Sequence, residues 1–142
     1  MNLVKLILSN SAYAKEIGLT IIRVGIGLIF IWHGFRKVLS GPDEFKWLGS
    51  AMANLGITFA PAFWGLCAIA AEFLGGICLT LGLGTRVACV FMAFTMLVAV
   101  MHHIAKGDPW GYISHPLALM VVFIGFVFIG SGIYSLDFYL SR

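Results

Sequence analysis

Long apolar stretches alternate with short polar breaks along this chain. Four stretches, at about 17–35, 61–83, 86–105 and 116–136, each approach the ~20 residues that a helix rising 1.5 Å per residue needs to cross about 30 Å of hydrocarbon. Period-two alternation is absent, and lipid offers no partner to an open strand edge, so the pattern predicts helices. The breaks are legible too. Ser40-Gly41-Pro42-Asp43 ends the first helix, Gly82-Leu83-Gly84-Thr85 makes a tight hairpin turn, and Lys106 to Gly111 forms the third joint. Glu44 to Ala60 is the longest connection and is amphipathic enough for a surface helix. The predicted fold is all-α: an integral membrane four-helix bundle in one domain, 1–142, with both termini on one side.

Orientation does not follow from charge. Lys5, Lys15, Arg86 and Arg142 fall on the side of the termini, against Arg36, Lys37, Lys46 and Lys106 on the other. At the N-terminus, Ala12-Tyr13-Ala14 imitates a signal-peptidase site. The apolar core before it, Leu6-Ile7-Leu8, falls well short of the roughly 7–15 residues a signal peptide needs. The segment is expected to be retained as a short interfacial helix.

Composition narrows the class. Hydrophobic residues make up 61% of the 142 residues and charged ones 11%, with a mean hydropathy of +1.00. Too few charges remain to coat a soluble domain. A net charge of +3, scattered along the chain, does not suit nucleic acid. The lipid bilayer is the first partner expected.

Scarcity makes the remaining ionisable residues informative. Arg23 lies about six residues into the first span, roughly 9 Å deep, and Glu72 about ten residues from the same side in the second, roughly 15 Å deep. A charge inside a span is a functional hypothesis by default. The depths predict an Arg23–Glu72 ion pair, which either pins helix register or lines a ligand or proton site. Small residues accompany both: Gly65, Ala68, Gly75 and Gly76 beside Glu72, Gly27 and Gly34 beside Arg23. They suit close helix approach and also leave room for a flat ligand. Lys37 falls near the stripe of Arg23, and Arg86 and Asp137 stand at similar depth, placed to pair.

His33, His102, His103 and His115 gather on the side away from the termini. Adjacent histidines on a helix point about 100° apart, and no carboxylate at ligand spacing supports them, so no metal site is expected. They serve as interfacial anchors or handle protons. Cys67, Cys78 and Cys89 form no redox motif and read as apolar packing, although Cys78 and Cys89 lie at similar depth on neighbouring helices.

Taken together, these residues resemble the DoxX family of small four-helix membrane proteins. The resemblance runs from about Arg23 to Asp137. It rests on Arg23 followed by Gly34-Phe35-Arg36-Lys37, on Glu72-Phe73-Leu74-Gly75-Gly76, on Leu81 to Arg86, and on Gly130 to Asp137. The acidic residue commonly found near the start of the family's fourth helix is missing; Ser114 and His115 occupy the area. The resemblance carries over Arg23, Lys37, Glu72, Gly76, Arg86 and Asp137. It implies a bacterial cytoplasmic (inner) membrane protein and an accessory, redox-associated subunit. It supplies no nucleophile, metal set or covalent haem site. On this reading a quinone-like ring binds near Arg23 and Glu72, Glu72 or one of His33, His102 and His103 handles the proton, and a redox partner protein or soluble reductant supplies electrons. The competing expectation is a non-catalytic scaffold, chaperone or assembly factor, with homo-oligomerisation open in either case.

Overall fold

The computed structural model describes residues 11–142. The interfacial helix expected near the N-terminus falls largely on residues 1–10, outside the described residues. Six α-helices and one 3-10 helix follow: α1 (Ala12–Ser40), α2 (Pro42–Ser50), the 3-10 helix (Ala51–Leu55), α3 (Pro61–Leu81), α4 (Thr85–Lys106), α5 (Trp110–Ile129) and α6 (Leu136–Leu140). Four of them, α1, α3, α4 and α5, are long and apolar enough to cross a membrane. The chain is an all-α integral membrane protein. We call the end of the bundle bearing residues 41–60 and 107–109 the loop end, and the end bearing Gly82–Gly84 the turn end.

Helix α1 is longer than its apolar stretch. Its 29 residues rise about 43 Å, more than the hydrocarbon is thick. Lys15, Glu16, Arg36 and Lys37 are good helix formers, so the helix runs on where hydropathy stops. Helix α5 is displaced from the stretch at 116–136. It begins at Trp110, carries Pro116 in its interior and stops at Ile129. Gly130 and Gly132 follow with φ of 81° and 78°, a backbone that residues with a Cβ rarely adopt, and this ends the helix early. The amphipathic connection forms α2 and the 3-10 helix, as its pattern suggested.

Packing depends on missing side chains. A Cβ on Gly76 would lie 2.8 Å from the Ile31 nitrogen and 2.9 Å from the Gly27 oxygen, so α1 and α3 cross nearly backbone to backbone. Similarly, α2 meets α3 where Gly49 faces the Pro61 carbonyl and Gly65 faces the Phe45 carbonyl, with no room for a Cβ on either. The apolar core joins Phe30 of α1, Leu79 of α3, Cys89, Met92 and Met96 of α4, and Phe123 and Phe126 of α5. Phe30 and Phe123 meet edge to face at 5.2 Å.

Candidate functional site: two separated polar centres and a cavity

Arg23 and Glu72 do not form the expected pair. Arg23 is 1% exposed; its two terminal nitrogens bind backbone carbonyls, and its Nε is buried with no partner among the described residues. Its Nη1 donates to Leu79 O at 2.7 Å and to Thr80 O at 2.9 Å; its Nη2 donates to Tyr134 O at 2.8 Å. The physical reason lies in α3. The last carbonyls of a helix lack intrahelical donors, and its C-terminal end is the negative pole of its dipole. Arg23 stands beside that end, and Glu72 lies seven residues away along α3, about 10 Å. Gly82, with φ of 69°, closes the turn and makes room: a Cβ there would lie 2.6 Å from Arg23 Nη1.

Nor does Asp137 pair with Arg86 among the described residues. Asp137 Oδ1 accepts from the Gly84 amide at 2.7 Å and Oδ2 from the Thr85 amide at 3.1 Å, so this carboxylate caps α4 from a distant point in sequence. The Asp137 amide in turn donates to Gly82 O at 2.8 Å. Arg86 is exposed and lies along Gly130. Burial pushes the Asp137 carboxyl up. The Gly84 and Thr85 amides, with the Ser131 and Thr85 hydroxyls, outweigh it and hold it below the usual carboxylate range. A lowered carboxyl stabilises the fold above its ordinary pKa, and that contribution is lost as pH falls through the lowered value. Asp137→Asn is therefore expected to cost about 1 kcal/mol at neutral pH, a typical cap contribution. The loss should shrink below about pH 4, where an ordinary carboxyl protonates. Thermal unfolding of both proteins at pH 7 and pH 3 checks this.

Glu72, 4% exposed, pairs instead with Lys37. Lys37 Nζ lies 2.8 Å from Oε1 and 2.6 Å from Oε2. Lys37 sits in the last turn of α1 on the stripe that includes Gly34, and a Cβ on Gly34 would lie 2.7 Å from the Phe73 backbone. That approach of α1 and α3 brings the ammonium within reach of Glu72. The pair forms part of the wall of a cavity of about 520 Å³. Leu48, Ala51 and Met52 line it from the amphipathic connection, Ala68 and Ala71 from α3, and Val98 and Ala99 from α4. Trp47, Trp64, His102, His103 and Lys106 also line it. The Trp64 indole Nε1 is buried with no partner among the described residues.

The histidines divide. His33 and His115 are exposed and do not line the cavity. His103 and His102 do. His103 Nδ1 lies 2.7 Å from Asp108 Oδ2, and this bond, with the neighbouring positive charges, holds Asp108 below the usual carboxylate range. The contact with Asp108 occupies Nδ1 and leaves Nε2 without a partner among the described residues. His102 packs edge-on against Trp47 at 6.2 Å, tying α2 to α4. All three cysteines are free: Cys89 is buried in the core and Cys67 is exposed beside the cavity. Gly76 belongs to the α1–α3 crossing and not to the cavity wall.

The slot therefore lies between α3, α4 and the amphipathic connection, and not between α1 and α3. Sequence reasoning passed over Trp47, Trp64, Met52 and Asp108. Asp108 had a signal: it follows His103 by five residues across the turn at Gly107, where φ is 71°. Trp47 and Met52 had none, since a connecting segment does not reveal which helix it will cover.

Comparison with known proteins agrees with this architecture. The DoxX family model matches residues 18–104. The chain is 30% identical over 122 residues to a Bacillus subtilis (strain 168) protein named "Putative oxidoreductase CatD", covering 86% of each chain. It is 27% identical over 133 residues to the Escherichia coli (strain K12) protein named "Inner membrane protein YqjF", covering 90% of this chain and 95% of the relative. No solved structure matches. The family match spans more than half of the chain and includes Arg23, Lys37, Glu72, Gly76 and Arg86, and on it the chain belongs to the DoxX family.

Proposed function

We propose that this protein is the membrane-embedded ligand-binding subunit of a redox system in the bacterial inner membrane, and that its cavity takes a quinone-like ring. The observation that carries this reading is an apolar cavity lined by an ion pair, Lys37–Glu72, and by a histidine tied to an aspartate, His103–Asp108. Apolar pockets with a few convergent polar groups are the usual form of small-molecule sites, and this volume is within their range. Reducing a quinone to a quinol takes up two electrons and two protons. The electrons come from a redox partner protein or a soluble reductant. Its residues supply the rest: Lys37 donates a hydrogen bond to a carbonyl oxygen, and His103 exchanges a proton with water at the loop end through Nε2. The printed name of the Bacillus relative supports the redox assignment, and that of the Escherichia coli relative supports the inner membrane.

The test is direct. Protein purified gently from native membranes is expected to yield near-equimolar quinone on organic extraction and mass spectrometry, and the double variant Lys37→Met/Glu72→Leu much less. An empty extract, with no uptake of added quinone, would sink the proposal. Arg23 favours a second reading. A cation held by three carbonyls acts as a structural clamp, as a scaffold or assembly factor would require. That reading gains if the double variant keeps full function in cells.

A further inference from the structure

The cavity walls are not sealed alike. Between α1 and α3 there is no gap, because Gly27, Gly34 and Gly76 bring the backbones together. Between α2 and α3 the Gly49 and Gly65 contacts close the seam. Toward the turn end α3 and α4 meet closely, with a Cβ on Gly75 placed 2.8 Å from Met92. At the loop end Met52 is buried, while Trp47, packed against His102, is itself 56% exposed. The other side left open lies between α3 and α4. There the lining residues are Cys67, which is exposed, and Phe91 and Phe94, which are 60% and 46% exposed.

Depth decides what they are exposed to. Phe94 lies twelve residues from the loop end of α4, about 18 Å, and Glu72 eleven residues from the loop end of α3, about 16 Å. Both are near the middle of a hydrocarbon layer about 30 Å thick. The open side therefore faces acyl chains, not water.

The polar atoms show which head group fits. Lys37 Nζ carries three donors, and two are directed at Glu72, whose two oxygens are both engaged by them. The third is unengaged, and the Trp64 N–H also lacks a partner among the described residues. Lys37 thus offers a spare donor beside a carboxylate that is already occupied, and Trp64 offers another nearer the loop end.

We propose that the cavity opens sideways into the bilayer between α3 and α4, and that its ligand is a tailed amphiphile drawn from the lipid phase. A hydrogen-bond-accepting head, such as a ring carbonyl, lies against Lys37, and a single apolar chain leaves past Cys67, Phe91 and Phe94. The space suits a drug-sized head, so a long chain has to extend outside it. This rests on the reading of the site as a quinone-like pocket and adds where the ligand comes from and what form it takes.

The test uses the full chain in phosphatidylcholine nanodiscs, with Trp32→Phe and Trp110→Phe. Of the four tryptophans, Trp47 and Trp64 then remain, and both line the cavity. Quenching of their fluorescence is titrated with tail-less 2,3-dimethoxy-5-methylbenzoquinone and with its decyl-chain analogue, each expressed as a mole fraction in the bilayer. Both are expected to quench. Cys67→Leu and, separately, Cys67→Phe narrow the mouth from α3 in two steps. Each should weaken the decyl compound at least about tenfold, the scale of an overpacked contact, and leave the tail-less compound within about twofold. If each variant weakens both compounds equally, or neither, the sideways opening is wrong while the pocket stands. If neither compound quenches the parent protein, the pocket reading fails and the opening with it.

Discussion

Replacing Arg23 with methionine should remove the folded protein from the membrane. The side chain makes three charge-assisted hydrogen bonds, to the buried Leu79 O and to Thr80 O and Tyr134 O, which are part-buried. Bonds of this kind contribute about 1.5–3 kcal/mol each, and stranding their acceptors adds desolvation. The expected loss is roughly 5 kcal/mol, comparable with the whole stability of many domains. Arg23→Lys keeps the charge but loses the planar fork, so it should recover only part of this. Thermal stability followed by size-exclusion chromatography in detergent measures the order: parent, then Lys, then Met. A methionine variant as stable as the parent would show that the clamp contributes little.

The second large effect concerns Lys37 and Glu72. Removing one partner leaves a charge uncompensated in a low dielectric, typically at a cost of about 3–5 kcal/mol. Glu72→Leu and Lys37→Met alone should each be destabilised on that scale. Together they remove both charges, and such replacements of a buried pair by apolar residues are often neutral or stabilising. The double variant should therefore melt within a few degrees of the parent while losing ligand. A double-mutant cycle reads the coupling, and additive losses would mean that the two do not act as a pair. Exchanging charges between Arg23 and Glu72 should rescue nothing, since Arg23 binds the carbonyls at the end of α3 and Glu72 pairs with Lys37 near its middle.

The contrast between these two centres shows what could be read from the chain. Four spans follow from hydropathy, because lipid permits so few alternatives. That Arg23 and Glu72 sit inside the bilayer follows from the same count. Their partners do not. Depth along a helix ranked Arg23 and Glu72 as neighbours to within a few ångströms, but an arginine chooses among all acceptors within reach. The carbonyls at the end of α3 are acceptors that no side-chain letter reveals. Lys37 was visible on the same stripe as Arg23, one helix length further on. Its selection depends on the close crossing at Gly34, a distance that sequence alone does not carry. The cavity was least legible. Its wall includes Trp47 and Met52 from a connection whose docking on α3 is set by backbone contact at Gly49 and Gly65.

The bond from Arg23 to Tyr134 joins residues 111 apart in sequence. During synthesis the first helix enters the membrane with its guanidinium bare. The end of α3 can supply two acceptors partway through, but the third comes only 54 residues after Thr80. At roughly 5–20 residues per second, Arg23 waits on the order of 6–20 s for residue 134. A chain not yet extended to residue 134 lacks the third acceptor, so the clamp on α1 closes on a residue far along the sequence.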